Sequence, residues 1–105
     1  MLFIETPVFA KLAEGLLGDE ALRTLELALM ERPDQGALLH GGHGIRKLRW
    51  SMPGSGKRGG ARVIYYWHVA GETILLLYIY RKSRQEDLTP EQLRVLAEVV
   101  RKEYP

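Results

Sequence analysis

The chain has 105 residues with a net charge of +2, and its 46% hydrophobic and 27% charged residues are typical of one globular domain, which we expect to span residues 1–105. It contains no cysteine, which excludes disulfides, thiolate zinc sites and a cysteine nucleophile. Its apolar runs are far shorter than the roughly 18 residues of a membrane span, and its first residues do not resemble a secretory signal. We therefore expect a cytoplasmic protein with no membrane partner.

The first third of the chain predicts a strand followed by two helices. Residues 2–5 form a short strand candidate, and Thr6-Pro7 is a helix start, with threonine as N-cap and proline as the first helical residue. Apolar residues then recur at helical spacing on both sides of Gly18, with Asp19 predicted to cap the second helix. Pro33 ends that helix, so the two helices are predicted to form an αα-hairpin with one apolar side.

The rest of the chain predicts three strands and a last helix. Segments 45–51, 61–69 and 73–80 are rich in β-branched and aromatic residues, and short connections between them indicate an antiparallel meander. The glycine-rich segment 52–60 is predicted to be a flexible, basic hairpin loop. Thr89 is predicted to cap the last helix. This order predicts an α+β domain in which the meander joins the N-terminal strand in one helix-covered sheet.

The charges are distributed unevenly along the chain. Between Gln35 and Gln85 there are nine lysine and arginine residues and a single acid, whereas the rest of the chain has six basic and twelve acidic residues. This division predicts a basic surface for a polyanion on an otherwise acidic body. The alternative interpretation is a chance cluster of solvated charges; the aromatic residues of the same window favour the polyanion.

Strand periodicity places some of these cations together. Alternation puts Lys47 and Arg49 on one face of their strand, and Arg62 on the less apolar face of the next strand, so pairing of the two strands would bring them together. An arginine in this setting is either a snorkelling side chain or a clamp for phosphate oxygens. Tyr78 and Tyr80 are either core tyrosines or part of the same surface. Basic residues interleaved with aromatic residues suit single-stranded RNA.

Familiar hydrolase motifs are absent from the sequence. There is no GxSxG, HExxH or phosphate-binding loop, and His40 and His43 lie in a glycine-rich stretch without nearby acids, which argues against a metal site. The acid-poor middle of the chain also disfavours a two-metal nuclease. We expect no cofactor. Cleavage of RNA would then use the RNA's own 2′-hydroxyl, with Lys, Arg and Tyr side chains handling the protons and the phosphorane charge.

Four sequence blocks follow one another in a specific order: GIRKLRW at 44–50, GKRGGARVIYY at 56–66, LYIYRK at 77–82 and EDLT at 86–89. Taken in this order, they resemble the RelE/ParE superfamily of bacterial toxins, on its HigB-like branch. The resemblance covers nearly the whole chain, including the leading strand and the helical hairpin. It implies the toxin of a type II toxin–antitoxin system with a RelE-like fold. The implied partners are an antitoxin, typically a small helix-turn-helix protein, the ribosome and mRNA.

The resemblance also implies roles for individual residues. Arg62 resembles the family's phosphate-stabilising arginine, and Lys47 and Arg49 resemble the basic strand positions beside the scissile phosphate. Ser83 stands where RelE has an arginine, and Thr89 stands where RelE has a catalytic tyrosine. The resemblance therefore does not identify the general base. The candidate catalytic residues are Arg62, Lys47, Lys82, Tyr80 and Arg84. The candidate RNA-binding residues are Arg46, Arg49, Lys57, Arg58, Tyr66, Tyr78 and Arg81.

The resemblance is compatible with three functions. The first is a ribosome-dependent, metal-independent endoribonuclease that cleaves translated mRNA. The second is a ParE-type inhibitor of DNA gyrase, which would not need the convergent cations. The third is a module that binds RNA and leaves it uncut.

Overall fold

A five-stranded mixed sheet with helices on both faces organises the computed structural model, which describes residues 1–52 and 60–105. The elements are β1 (Leu2–Glu5), α1 (Pro7–Leu16), α2 (Gly18–Glu31), β2 (Ala37–Leu38), β3 (Ile45–Trp50), β4 (Ala61–His68), β5 (Thr73–Arg81) and α3 (Pro90–Glu103). The α+β class is therefore confirmed. Most of the predicted basic hairpin loop at 52–60, including Lys57 and Arg58, lies outside the described residues. Within the described part of the chain, no helix is long and apolar enough to cross a membrane.

The strands are arranged in the order β1-β5-β4-β3-β2. Strands β3, β4 and β5 form an antiparallel meander, and β1 pairs parallel to β5. Strand β2 was not predicted; it pairs Ala37 with Lys47 and Leu38 with Arg46 at the edge of the sheet. Two residues are too few to show strand alternation in a sequence, so this edge strand is specified by its partner and not by its own pattern.

Threonine caps start two of the helices as the sequence predicts. The Thr6 hydroxyl accepts a hydrogen bond from the backbone N–H of Phe9 at the start of α1. Thr89 and Gln92 form a reciprocal capping box at the start of α3. Each cap satisfies backbone donors that have no partner within the helix, so both helix starts are fixed locally.

The predicted cap of the second helix is wrong. Asp19 lies in the first turn of α2, and the N-cap position belongs to Leu17, whose side chain makes no capping hydrogen bond. Gly18 has a φ of +77°, a left-handed conformation that lets the chain reverse between the helices without a polar cap. The Asp19 carboxylate still lies near the positive end of the helix dipole.

Two hydrophobic cores cover the two faces of the sheet. The first packs the helical hairpin against one face through buried residues that include Phe9, Leu25, Leu29, Val63 and Tyr65. The second packs α3 against the opposite face through buried residues that include Ile45, Ile64, Leu77, Ala97 and Val100. Helices therefore cover the sheet on both faces.

A bulge in β5 changes which side chains face α3. Ile64 pairs with Tyr78, and the next β4 residue, Tyr65, pairs with Leu76, so Leu77 is an extra residue in the strand. Strict alternation would place Tyr80 on the same face as Leu76, towards the helical hairpin. The bulge reverses the alternation of side chains between the two faces of the sheet. The Tyr80 side chain therefore packs with Leu77 in the core beneath α3.

Candidate functional site

A polar groove of about 530 Å³ opens at the end of the sheet where β3 and β5 finish and β4 begins. Its walls come from the turn before β2, from strands β2, β3 and β4, and from the loop after β5. The lining residues are Gln35, Ala37, Lys47, Leu48, Arg49, Arg62, Lys82, Glu86 and Asp87. The groove therefore brings together four of the predicted cations, Lys47, Arg49, Arg62 and Lys82.

Two of these cations face each other directly across neighbouring strands. Arg49 of β3 pairs in register with Arg62 of β4. The Arg62 side chain is 7% exposed, and its Nη1 donates to the carbonyl of Ala61 at 3.3 Å. In the described part of the chain, neither arginine makes an ion pair with a carboxylate. Like charges opposite each other, and a buried guanidinium without a counter-ion, are both unfavourable, so this pair favours a bound anion.

Lys47 lies on the same face of β3 as Arg49 and is already engaged. Its Nζ lies 3.1 Å from Oδ1 of Asp87, which also accepts a hydrogen bond from the backbone N–H of Leu88 at 3.1 Å. The hydrogen bond from Lys47 and its positive charge hold the pKa of Asp87 below its ordinary value, and the Leu88 N–H and Lys82 act in the same direction. Asp87 is therefore a carboxylate inside a basic groove.

Tyr80 lies beneath the groove and does not line it. It pairs across the sheet with Arg62, and its side chain is 5% exposed. Its hydroxyl has no hydrogen-bond partner among the described residues. Burial raises the pKa of Tyr80, as does the charge of Asp87, whereas the charge of Arg62 opposes this effect. The hydroxyl is therefore kept in its neutral, protonated form.

The turn that forms one wall of the groove is held from below by Tyr65. The Tyr65 hydroxyl donates to the carbonyl of Pro33 at 2.7 Å and accepts from the N–H of Gly36 at 2.9 Å. A Cβ at Gly36 would lie 2.8 Å from the Tyr65 ring, so only glycine fits. Burial raises the pKa of Tyr65, since the hydroxyl is part of the core.

Arg46 reinforces the same turn. Its Nη1 donates to the carbonyls of Asp34 and Gly36 at 3.0 and 2.8 Å. Arg46 is a predicted RNA-binding residue, but the structure places it outside the groove lining, with its guanidinium bound to backbone carbonyls. A structural role accounts for these contacts.

Other predicted residues lie away from the groove. Tyr66 packs against Tyr104 in an aromatic cluster with His68, at the far end of β4. Tyr78 lines a separate apolar groove between α1 and α3. Arg81 ends β5, and Arg84 lies in the turn that follows, where its N–H donates to the Arg81 carbonyl at 3.0 Å. The structure thus does not gather these residues into one surface.

Three polar residues that line the groove were not among the site residues predicted from the sequence. Asp87 and Glu86 belong to the EDLT block, which contributed to the family resemblance without being assigned a role. Gln35 lies in the turn before β2, within a segment that the sequence indicates only as a turn. Asp87 is the most informative of the three because it touches a predicted catalytic lysine. No group of three or more potential metal-binding side chains (His, Cys, Asp or Glu) occurs within residues 1–52 and 60–105.

A comparison with protein families complements this geometry. The family model described as the RelE toxin of the RelE/RelB toxin–antitoxin system matches residues 3–104. The match includes all the groove residues and the whole sheet apart from Leu2, the first residue of β1.

Proposed function

The chain belongs to the RelE toxin family, and from this premise we propose that it is a ribosome-dependent endoribonuclease that cleaves translated mRNA without a catalytic metal ion. As a toxin of a toxin–antitoxin system, it has an antitoxin as its partner. Toxins of this family are generally endoribonucleases. The sequence blocks at 44–50 and 56–66 support placing it on the HigB-like branch.

One observation carries the proposal: Arg49 and Arg62 face each other across β3 and β4 at the groove, without a carboxylate partner in the described residues. Their guanidinium groups match phosphate oxygens in geometry and stay charged at any working pH. A scissile phosphate seated between them would remove the repulsion between the two cations. In the transition state, they would stabilise the extra negative charge of the phosphorane.

The proposed reaction uses the substrate's own 2′-hydroxyl. The 2′-oxygen attacks the adjacent phosphorus as its proton is removed, and the bond from phosphorus to the 5′-oxygen breaks as that oxygen receives a proton. The products are a 2′,3′-cyclic phosphate and a 5′-hydroxyl. The protein must accept one proton, supply another and stabilise the phosphorane, which needs no metal if cations are already in place.

Tyr80, Lys82 and Arg84 are the candidates for the proton acceptor, and we assign this role to Lys82, acting as the neutral amine. Arg84 cannot be deprotonated in a protein, and it lies outside the groove lining. Tyr80 is buried, and burial raises the pKa of its hydroxyl, which makes it a poor base. Lys82 lines the groove with Arg62. Lys47 is assigned to hold the phosphate, and Tyr80 to support Arg62 from beneath.

The ribosome supplies what the groove lacks. The groove is rich in cations and poor in strong acid–base groups, so precise alignment of the 2′-hydroxyl with the phosphorus is required. Such alignment is worth up to about 7–11 kcal/mol. Ribosome-bound mRNA is held in a fixed conformation, whereas free mRNA is not. Lys57 and Arg58, which lie outside the described residues, and the exposed Arg81 are proposed to contact the surrounding RNA backbone.

The test compares the protein with an Arg62→Met variant on a programmed ribosome and on the same mRNA free in solution. Methionine keeps a long apolar side chain at the buried position, so we expect the variant to fold. Loss of the oxyanion-stabilising donor should reduce cleavage on the ribosome by roughly 10²–10³-fold. Arg94→Met is the matched control, because Arg94 lies on α3 and pairs with Glu91 at the surface.

The outcomes separate the three functions. Cleavage that survives chelation on pre-assembled ribosomes, with the subunits still joined, and that is weak on free mRNA supports the proposal. Efficient cutting of free mRNA, or full activity of a folded Arg62→Met protein, contradicts it. Toxicity without any new mRNA ends indicates gyrase inhibition. RNA binding with neither new mRNA ends nor growth arrest indicates a module that leaves RNA uncut.

A further inference from the structure

We infer that Asp87 is an internal anion that occupies the phosphate contact of Lys47 in the groove, and that RNA must displace it from Lys47 in order to bind. This inference rests on the proposed function, since it concerns how the same groove is regulated. It adds an autoinhibitory contact that is broken by a phosphodiester of single-stranded RNA.

The ion pair has the geometry of a phosphate contact. The Lys47 ammonium lies 3.1 Å from a carboxylate oxygen of Asp87, within a groove that also presents Arg49, Arg62 and Lys82. A carboxylate oxygen and a phosphate oxygen are equivalent acceptors for an ammonium group. While Asp87 holds Lys47, the groove offers one fewer cation to an incoming phosphate.

The ion pair is also suited to being broken. The Asp87 side chain is 70% exposed, and that of Lys47 is 27% exposed. Exposed ion pairs are weak, so a phosphate that is also held by two arginines can compete with the carboxylate. Asp87 lies in the loop between β5 and α3, where moving its side chain disturbs neither core.

A role for Asp87 as the general base fits the structure less well. Its carboxylate is fully ionised at neutral pH, and the contact with Lys47 holds the pKa of Asp87 below its ordinary value. A carboxylate with a lowered pKa is a weak proton acceptor. Its negative charge beside the phosphate site opposes substrate binding, as expected for an inhibitory contact.

The experiment measures binding of a single-stranded 2′-O-methyl oligonucleotide, which cannot be cleaved by 2′-hydroxyl attack. The test variant is Asp87→Asn, whose amide oxygen can still accept from the Leu88 N–H, so the loop should be preserved. Glu86→Gln is the matched control: Glu86 also lines the groove, but in the described residues it makes no ion pair. Both variants remove one negative charge.

We expect Asp87→Asn to bind the oligonucleotide about two- to fivefold more tightly than Glu86→Gln at the same salt concentration. The expected difference is small because RNA no longer has to break an ion pair, and exposed ion pairs are weak. Because one additional cation is free to contact a phosphate, the slope of log affinity against log salt concentration should become more negative by about 0.7. In a Lys47→Met background, the advantage of Asp87→Asn over Glu86→Gln should disappear, because no ammonium is left to release.

Three results would overturn the inference. Equal tightening by Asp87→Asn and Glu86→Gln would show a general charge effect. An advantage that persists with Lys47→Met would show that Lys47 is not the cation released. Weaker binding by Asp87→Asn than by Glu86→Gln would show that Asp87 does not compete with RNA.

The readout is independent of cleavage. A protein that shows the Asp87-specific effect but never cuts mRNA on the ribosome supports the inhibitory contact and contradicts the nuclease. A protein that cuts mRNA but binds RNA equally with either acid removed contradicts the inhibitory contact and leaves the nuclease standing.

Discussion

Tyr65 connects the core of the protein to one wall of the groove. Its ring is buried in the core beneath the helical hairpin, and its hydroxyl makes two hydrogen bonds to the backbone of the turn before β2. Gln35 and Ala37, on either side of Gly36, line the groove. The position of this wall therefore depends on a side chain that never reaches the groove.

Removing the Tyr65 hydroxyl should weaken both the fold and the groove. Tyr65→Phe leaves the Pro33 carbonyl and the Gly36 N–H without their partner, which typically costs about 1–3 kcal/mol. We expect denaturant unfolding to show a loss of free energy in this range, together with faster amide exchange at Gly36. Tyr66→Phe is the control on the same strand, since no hydrogen bond of the Tyr66 hydroxyl occurs among the described residues. Equal stability of the two variants would contradict this role.

Residue-level prediction succeeded where a regular pattern determines the geometry. Alternation along β3 and β4 is sufficient to place Lys47, Arg49 and Arg62 on one face, because both strands are regular there. Asp87 lies 40 residues from Lys47 in the sequence and reaches it from a loop. No periodicity describes such a contact, so the acid within the basic groove emerged only from the structure.

At the level of elements, the bulge in β5 marks the limit of sequence patterns. The run from Ile74 to Ile79 is almost entirely apolar, so it carries no alternation from which a change of phase can be detected. The bulge becomes visible only in the pairing with β4, where Leu77 is the extra residue. It places Tyr80 beside Arg62, which strict alternation would have separated.

The capping box of α3 also fixes the loop that carries Asp87. Thr89 and Gln92 cap each other, and the Gln85 side chain contacts both Gln92 and the carbonyl of Asp87. Thr89→Ala should lower the free energy of unfolding by about 1 kcal/mol, the usual cost of losing an N-cap. Because the cap anchors the loop, we also expect the Lys47–Asp87 contact to loosen.

Chemical denaturation checks the first effect, and amide exchange of Leu88 checks the second. Thr24→Ala is a suitable control: the Thr24 hydroxyl donates to the carbonyl of Glu20 within α2, where it caps nothing. A Thr89→Ala protein as stable as Thr24→Ala would show that Pro90 and the core contacts define the start of α3 without the cap.

Basic and acidic residues are concentrated in different parts of the molecule. The segment from Gln35 to Gln85 contains nine basic residues and one acid, whereas the remaining sequence has twice as many acidic as basic residues. In the fold, four of these cations line one groove at one end of the sheet. Such a concentration of positive charge attracts an acidic partner over distances longer than any single contact.

The charge separation leads to a prediction about the antitoxin. An antitoxin that neutralises this toxin by covering its basic surface should carry acidic residues in its toxin-binding segment, and the complex should form faster at low salt. Raising the salt from about 0.05 M to about 0.5 M should slow association by at least about tenfold, because screening removes the long-range attraction. The dissociation rate should change much less, since apolar contacts at the interface are not screened. Stopped-flow mixing of the two purified proteins measures both rates. An association rate independent of salt would show that the antitoxin binds away from the groove and inhibits the toxin without neutralising its charge.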